Sequence, residues 1–275
     1  MSGSGIISFV IIVINVLVSY RGLKDFAFFD RYKFDVDKVL INKDYKRIVT
    51  SGFLHVSWTH LIFNMVSLYF FSGIVEYSGG SLQYLIIYFA SLIGGNLLSL
   101  LIHRNEGDYT AAGASGAVCG IIFASIALYP DMNILFIPGW LYGIIFVFGS
   151  IYGIKQRMDN IGHDAHLGGA LIGMLVAAAM HPDAFAENYI TILAIAVPCL
   201  FFIFMIITKP GFLLIDNPFF NKHNKNYSLD QRYNMTKLDK QKEVDRILDK
   251  INRSGMKSLT AKEKQILDEY SRISQ

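Results

Sequence analysis

The chain has 275 residues, 53% of them hydrophobic and only 17% charged, which excludes an ordinary soluble globular domain. Its net charge is +3, and no basic stripe with interleaved aromatics speaks for nucleic acid. Of 25 lysines and arginines, eight lie between Arg21 and Arg47 and fourteen from Lys209 onward, so the middle reads as membrane and the end as a soluble tail.

A helix needs about 17 to 25 largely apolar residues to cross the hydrocarbon. Seven candidate spans follow in order: 5–20, 53–75, 82–102, 112–129, 134–154, 162–180 and 189–208. The first is the shortest, but it lacks the basic start and small-residue cleavage site of a signal peptide. No fixed-period repeat is present. The two cysteines, Cys119 and Cys199, both fall in apolar runs, so no disulfide framework is expected. The expected fold is an all-α polytopic membrane protein, with a transmembrane domain over 1–208 and a soluble helical tail over 209–275.

Between the first two spans, "RGLKDFAFFDRYKFDVDKVLINKDYKR" mixes charges with Phe26, Phe28, Phe29, Tyr32 and Phe34. Aromatic rings and snorkelling cations are both comfortable among lipid headgroups, so residues 21–52 are expected in the interface, although a solvated loop has the same composition. In the tail, Val244, Ile247, Leu248 and Ile251 share a helical face. Gly255 ends that helix, and Thr260 with Glu263 restarts another at capping-box spacing.

Polar groups are costly inside a bilayer, and their default reading is functional. Span two carries His55, His60 and Asn64; span four carries Ser115; span six carries His163, Asp164 and His166. Spans two, four and six run the same way across the membrane, and at about 1.5 Å per residue His60, Ser115 and His166 come to similar depth below one face.

A serine loses its proton to a histidine only within hydrogen-bond reach, roughly 2.6–3.2 Å. Two helices must then approach closely, which small residues permit. Span four offers Gly113, Ala114, Gly116, Ala117 and Gly120, and span six offers Ala165, Gly168, Gly169, Ala170 and Gly173. Ser115 opens a helix, where free N–H groups point outward. His60 and Asn64, four apart, leave one face as donors for an oxyanion. Taken singly, Ser115 is more often a packing serine and Asn64 an interhelical hydrogen bond; the shared depth and side favour a serine–histidine dyad. His60, His163, Asp164 and His166 are also conceivable metal ligands, but no H-E-x-x-H pattern is present, and neither metal nor cofactor is expected.

With "HVSWTHLIFNM", "GASG" at 113–116 and "DAHLGGALIG" at 164–173 in this order, the sequence resembles the rhomboid family of intramembrane serine proteases. The resemblance covers about residues 45–180 and includes Glu76, where the family commonly keeps a glutamate. It implies a six-helix bundle, here with a seventh C-terminal span. It also implies Ser115 as nucleophile and His166 as base, with His60, Asn64 and the Ser115 N–H as oxyanion site. Gly113 would admit the substrate backbone, and Gly169 would pack span six on span four, with Gly116 and Gly173 in the same contact. Expected substrates are transmembrane proteins cut in or beside their membrane segments, and the expected location is a bacterial cytoplasmic (inner) membrane. The alternative is a catalytically idle relative that binds transmembrane clients.

Two positions depart from the family pattern. Lys46-Arg47 stands where a Trp-Arg pair is usual, and Cys119 stands where an aromatic supports the histidine ring. Lysine and arginine counts put the first loop and tail on the cytoplasmic side, whereas bacterial members of the family usually present that loop outside.

Overall fold

A computed structural model describes residues 5–156 and 162–208, with Ile247, Lys250 and Thr260 as isolated positions. The chain divides into two units, Met1–Asp216 and Asn217–Gln275. The tail helices expected from sequence lie outside the described residues.

The described residues of the first unit are mostly helical. Helix α1 covers Ile6–Lys24. It runs past the expected end at residue 20 because Arg21 and Lys24 lie over the rings of Phe28 and Tyr20, which lets the cations ride at the edge of an apolar helix. The first loop folds into α2 (Phe26–Tyr32), β1 (Phe34–Asp35), α3 (Val36–Leu40) and α4 (Arg47–Thr50). Asp25 and Asp35 cap α2 and α3 by accepting from the N–H groups of Phe28 and Lys38. Arg47 is buried; its Nη1 donates to the carbonyls of Asp30 and Lys33, both at 2.8 Å, and its Nε to Asp44 at 2.9 Å.

Helix α5, Trp58–His103, is interrupted at Gly80, whose φ of 77° is left-handed and suits glycine. The chain reverses there. Asn96 donates to the Ile48 carbonyl at 2.7 Å and to Ser51 Oγ at 3.2 Å, so the second arm returns to the level where the first began. Ser57 caps the first arm through the His60 N–H.

Strand β2 (Thr110–Ala111) pairs antiparallel with β1, tying the segment before Ser115 to the first loop. Helix α6, Ser115–Leu128, therefore starts at the serine itself and not at residue 112. Every residue from Gly116 to Leu128 is buried, so α6 is the centre of the bundle. Its 14 residues span only about 21 Å, against roughly 30 Å of hydrocarbon. A hairpin of β3 (Asn133–Ile134) and β4 (Ile137–Pro138) follows, and α7 begins at Gly139, five residues later than the expected span. Helix α8 covers His163–Met180. Helix α9, Pro182–Thr208, starts earlier than residue 189, with proline at its first position. Asn188 of α9 donates to the last carbonyls of α6, those of Ala127 and Leu128.

Among the described residues four helices are long and apolar enough to cross a membrane, and α6 and α7 are shorter apolar helices. Counting the two arms of α5 separately, the described residues form seven apolar helical segments. This is an all-α polytopic membrane protein.

Candidate active site

Glycines set the geometry between α6 and α8. A Cβ on Gly169 would collide with the backbone of Gly116, and one on Gly173 with the backbone of Gly120. Both glycine pairs are four residues apart, one turn of helix, so the two helices run parallel with backbone against backbone. On the other flank of α8, a Cβ on Gly95 would lie 2.5 Å from the Ala165 carbonyl oxygen, which brings the second arm of α5 equally close.

Ser115 immediately precedes Gly116 in the contact, and His166 precedes Gly169 by three residues, close to one turn. Both side chains therefore leave the same end of the α6–α8 seam, and both residues are half-buried. The His166 N–H donates to the Gly162 carbonyl at 3.0 Å, closing the first turn of α8. Cys119, which replaces the family's aromatic, is buried. A ring comes from another helix instead: Phe146 of α7 lies 6.5 Å from His166, centroid to centroid, tilted by 34°, within the range of aromatic pairing.

His60 reaches the same end. A Cβ on Gly113 would lie 2.6 Å from His60 Cε1, 3.1 Å from its Nε2 and 3.4 Å from Ser115 Oγ. The imidazole and the hydroxyl thus flank one point. Gly113, at φ 155°, makes room first for the His60 ring, a neighbour that the expected substrate approach did not include. Asn64 is buried, and its Nδ2 donates to the His60 carbonyl of its own helix at 3.1 Å. One of its two N–H donors is thereby engaged within α5.

His55, to which the sequence assigns no role in the dyad or the oxyanion site, orders the serine loop. Its Nε2 accepts from the Ala114 N–H at 3.4 Å. The ring proton then sits on Nδ1 and is donated to Ser19 Oγ at 2.8 Å, and Ser19 donates onward to the Phe53 carbonyl at 3.0 Å. The neighbouring Gly113 N–H is taken by the Ser51 carbonyl at 3.1 Å. The two residues before Ser115 are thus tethered by their amides. No pattern in the sequence marks Ser19 or Ser51 as their partners.

Among the described residues no three His, Cys, Asp or Glu side chains converge as a metal would require. His163 turns its ring toward Gly153 of α7, and Asp164 toward His103.

A family model described as "Rhomboid domain" matches residues 42–183, just over half of the chain. The chain belongs to the rhomboid family. It is 29% identical over 158 residues to RHOMBOID-like protein 12, mitochondrial, of Arabidopsis thaliana, covering 50% of this chain and 47% of that protein. To Rhomboid protease GluP of Bacillus subtilis it is 29% identical over 144 residues, 52% of this chain and 28% of that protein. To Rhomboid protein 1, mitochondrial, of Saccharomyces cerevisiae it is 31% identical over 150 residues, 50% and 43% of the respective chains. The chain thus spans less than half the length of each of these relatives. The apolar helices and the family make this an integral membrane protein; two of these three relatives are named mitochondrial, so the expected bacterial inner membrane is not supported. A second model, "Family of unknown function (DUF6576)", matches residues 227–273 in the tail.

Proposed function

We propose that this protein is an intramembrane serine endopeptidase that cuts transmembrane proteins in or beside their membrane segments. Ser115 is the nucleophile and His166 the general base, taking the hydroxyl proton as Oγ attacks the scissile carbonyl and returning it to the leaving amine. His60 and the Ser115 N–H at the start of α6 face the charge that develops on the carbonyl oxygen. Asn64 holds the His60 turn and offers its second N–H to the same site. The 1–208 segment is the catalytic membrane domain and 209–275 an appended module.

The observation that carries this reading is the backbone contact of Gly116 with Gly169, which brings a hydroxyl and an imidazole to one end of a parallel seam. Hydrolysis needs water at that end, and α6, at 14 residues, is shorter than the hydrocarbon is thick. The competing reading, an idle relative that retains transmembrane clients, explains neither the hydroxyl beside His60 nor the loop tethered around it.

The test is labelling of the detergent-solubilised full chain with a fluorophosphonate. Labelling of wild type that disappears in Ser115→Ala and in His166→Ala supports the protease. Labelling that persists in Ser115→Ala sinks the assignment of the nucleophile, and folded wild type that never labels favours the idle reading.

A further inference from the structure

We infer that Asp164 is a positioning residue for His166, locking the first turn of α8 to the loop that carries Ser115 through Tyr109 and His103. The inference rests on the proposed dyad and goes beyond it by naming what fixes the base-bearing helix against the nucleophile's loop.

Asp164 sits two residues before His166 and is 4% exposed. A carboxylate in the first turn complements the helix dipole, but one so deeply buried needs partners. The Tyr109 hydroxyl lies 3.4 Å from each of its oxygens, and His103 Nε2 lies 3.4 Å from Oδ2. The other ring nitrogen of His103, Nδ1, meets Glu106 at 2.8 Å. The His103 and Tyr109 rings stack at 3.6 Å with planes 6° apart, so neither can turn without the other. His103 closes the second arm of α5, and Tyr109 lies six residues before Ser115.

Tyr109 is also fixed from the first loop. Its carbonyl accepts from the Val36 N–H at 3.2 Å, and Phe34 meets its ring edge-on at 6.4 Å. The Asp164 carboxylate is therefore where α8, the end of α5 and the segment leading to Ser115 come together. Shape packing at Gly116–Gly169 sets the spacing of the two helices. Together with the glycine contacts of α8 on both α6 and the second arm of α5, this carboxylate ties down the first turn of α8 and so bears on where the His166 ring points. Displacements of about 1 Å in such a geometry cost up to a hundredfold in rate.

The experiment measures fluorophosphonate labelling of the full chain in detergent at several probe concentrations, separating the maximal rate from the half-saturating concentration, with a thermal melt for each variant. In Asp164→Ala the maximal rate is expected to fall at least about tenfold, with half-saturation within about twofold of wild type. Asp164→Asn, which still accepts from Tyr109, is expected to fall between the two. Tyr109→Phe keeps the stack, loses one hydroxyl and is expected to lose about fivefold. Wild-type maximal rates in Asp164→Ala and Tyr109→Phe overturn the inference. So does a loss that tracks the melting midpoint and is not graded through Asp164→Asn. Either result alongside dead Ser115→Ala and His166→Ala removes Asp164 alone; live variants at those two positions remove the dyad itself.

Discussion

The carbonyl oxygen of Gly116 occupies the place a methyl group on Gly169 would need. Two helices that meet this closely cannot accept a side chain at the crossing without moving apart, and the moving parts carry Ser115 and His166. Stability and chemistry therefore share one contact, and a substitution there disturbs both.

Gly169→Ala forces backbone against a new Cβ, and overpacking of this kind costs about 1–3 kcal/mol. We expect a lower melting temperature in detergent and a labelling rate reduced by tenfold or more. Gly149, which a Cβ would leave without contacts, is the control, and Gly149→Ala should change neither. Equal melts and rates for the two variants would refute the close contact.

His55→Ala removes the acceptor of the Ala114 N–H and the partner of Ser19. Leaving buried polar groups unpaired costs about 1–3 kcal/mol. Since the loss falls on the residue before Ser115, labelling should slow by more than the melt alone explains. Ser19→Ala should show a smaller loss in the same direction, because Ala114 keeps its acceptor. An inert His55→Ala would mean that β1–β2 pairing and the Gly113–Ser51 bond hold the loop without it.

The first loop should loosen in acid. At Asp30 and Asp44 desolvation pushes the carboxyl pKa up, but Lys33 and Lys38 at the first, and Arg47 and Lys46 at the second, outweigh it and hold both below the ordinary value. A carboxyl lowered in the folded state stabilises it above the unfolded pKa of about 3.9, and the gain is lost as pH falls through the lower folded value. Hydrogen exchange of residues 26–50, corrected for intrinsic rates, should stay protected from neutral pH to about pH 4 and give way below it. Asp30→Asn should be less protected at neutral pH and flatter with acid. Loss of protection already near pH 6 would show that other groups control the loop.

Much of this protein is readable along the chain because a bilayer forces local composition to declare itself. Apolar runs mark each passage, parity assigns polar residues to a face, and glycines four apart mark a close helix contact. Ser115 at a helix start, the direction shared by three spans and the small-residue seam all follow from short stretches read alone. Boundaries are less legible. The β3–β4 hairpin falls inside an apolar run and turns through Leu135 and Phe136, both at positive φ, where no Asn-Gly signal betrays a turn.

Only the tertiary structure decided which polar groups meet. His55 finds an amide 59 residues away and Tyr109 a carboxylate 55 residues away. Asn64 bonds within its own helix, and Gly113 yields its space to a histidine ring. Periodicity tells which face of a helix a residue occupies, because that depends on neighbours three and four positions away. It cannot tell what stands opposite, because that depends on how distant segments pack.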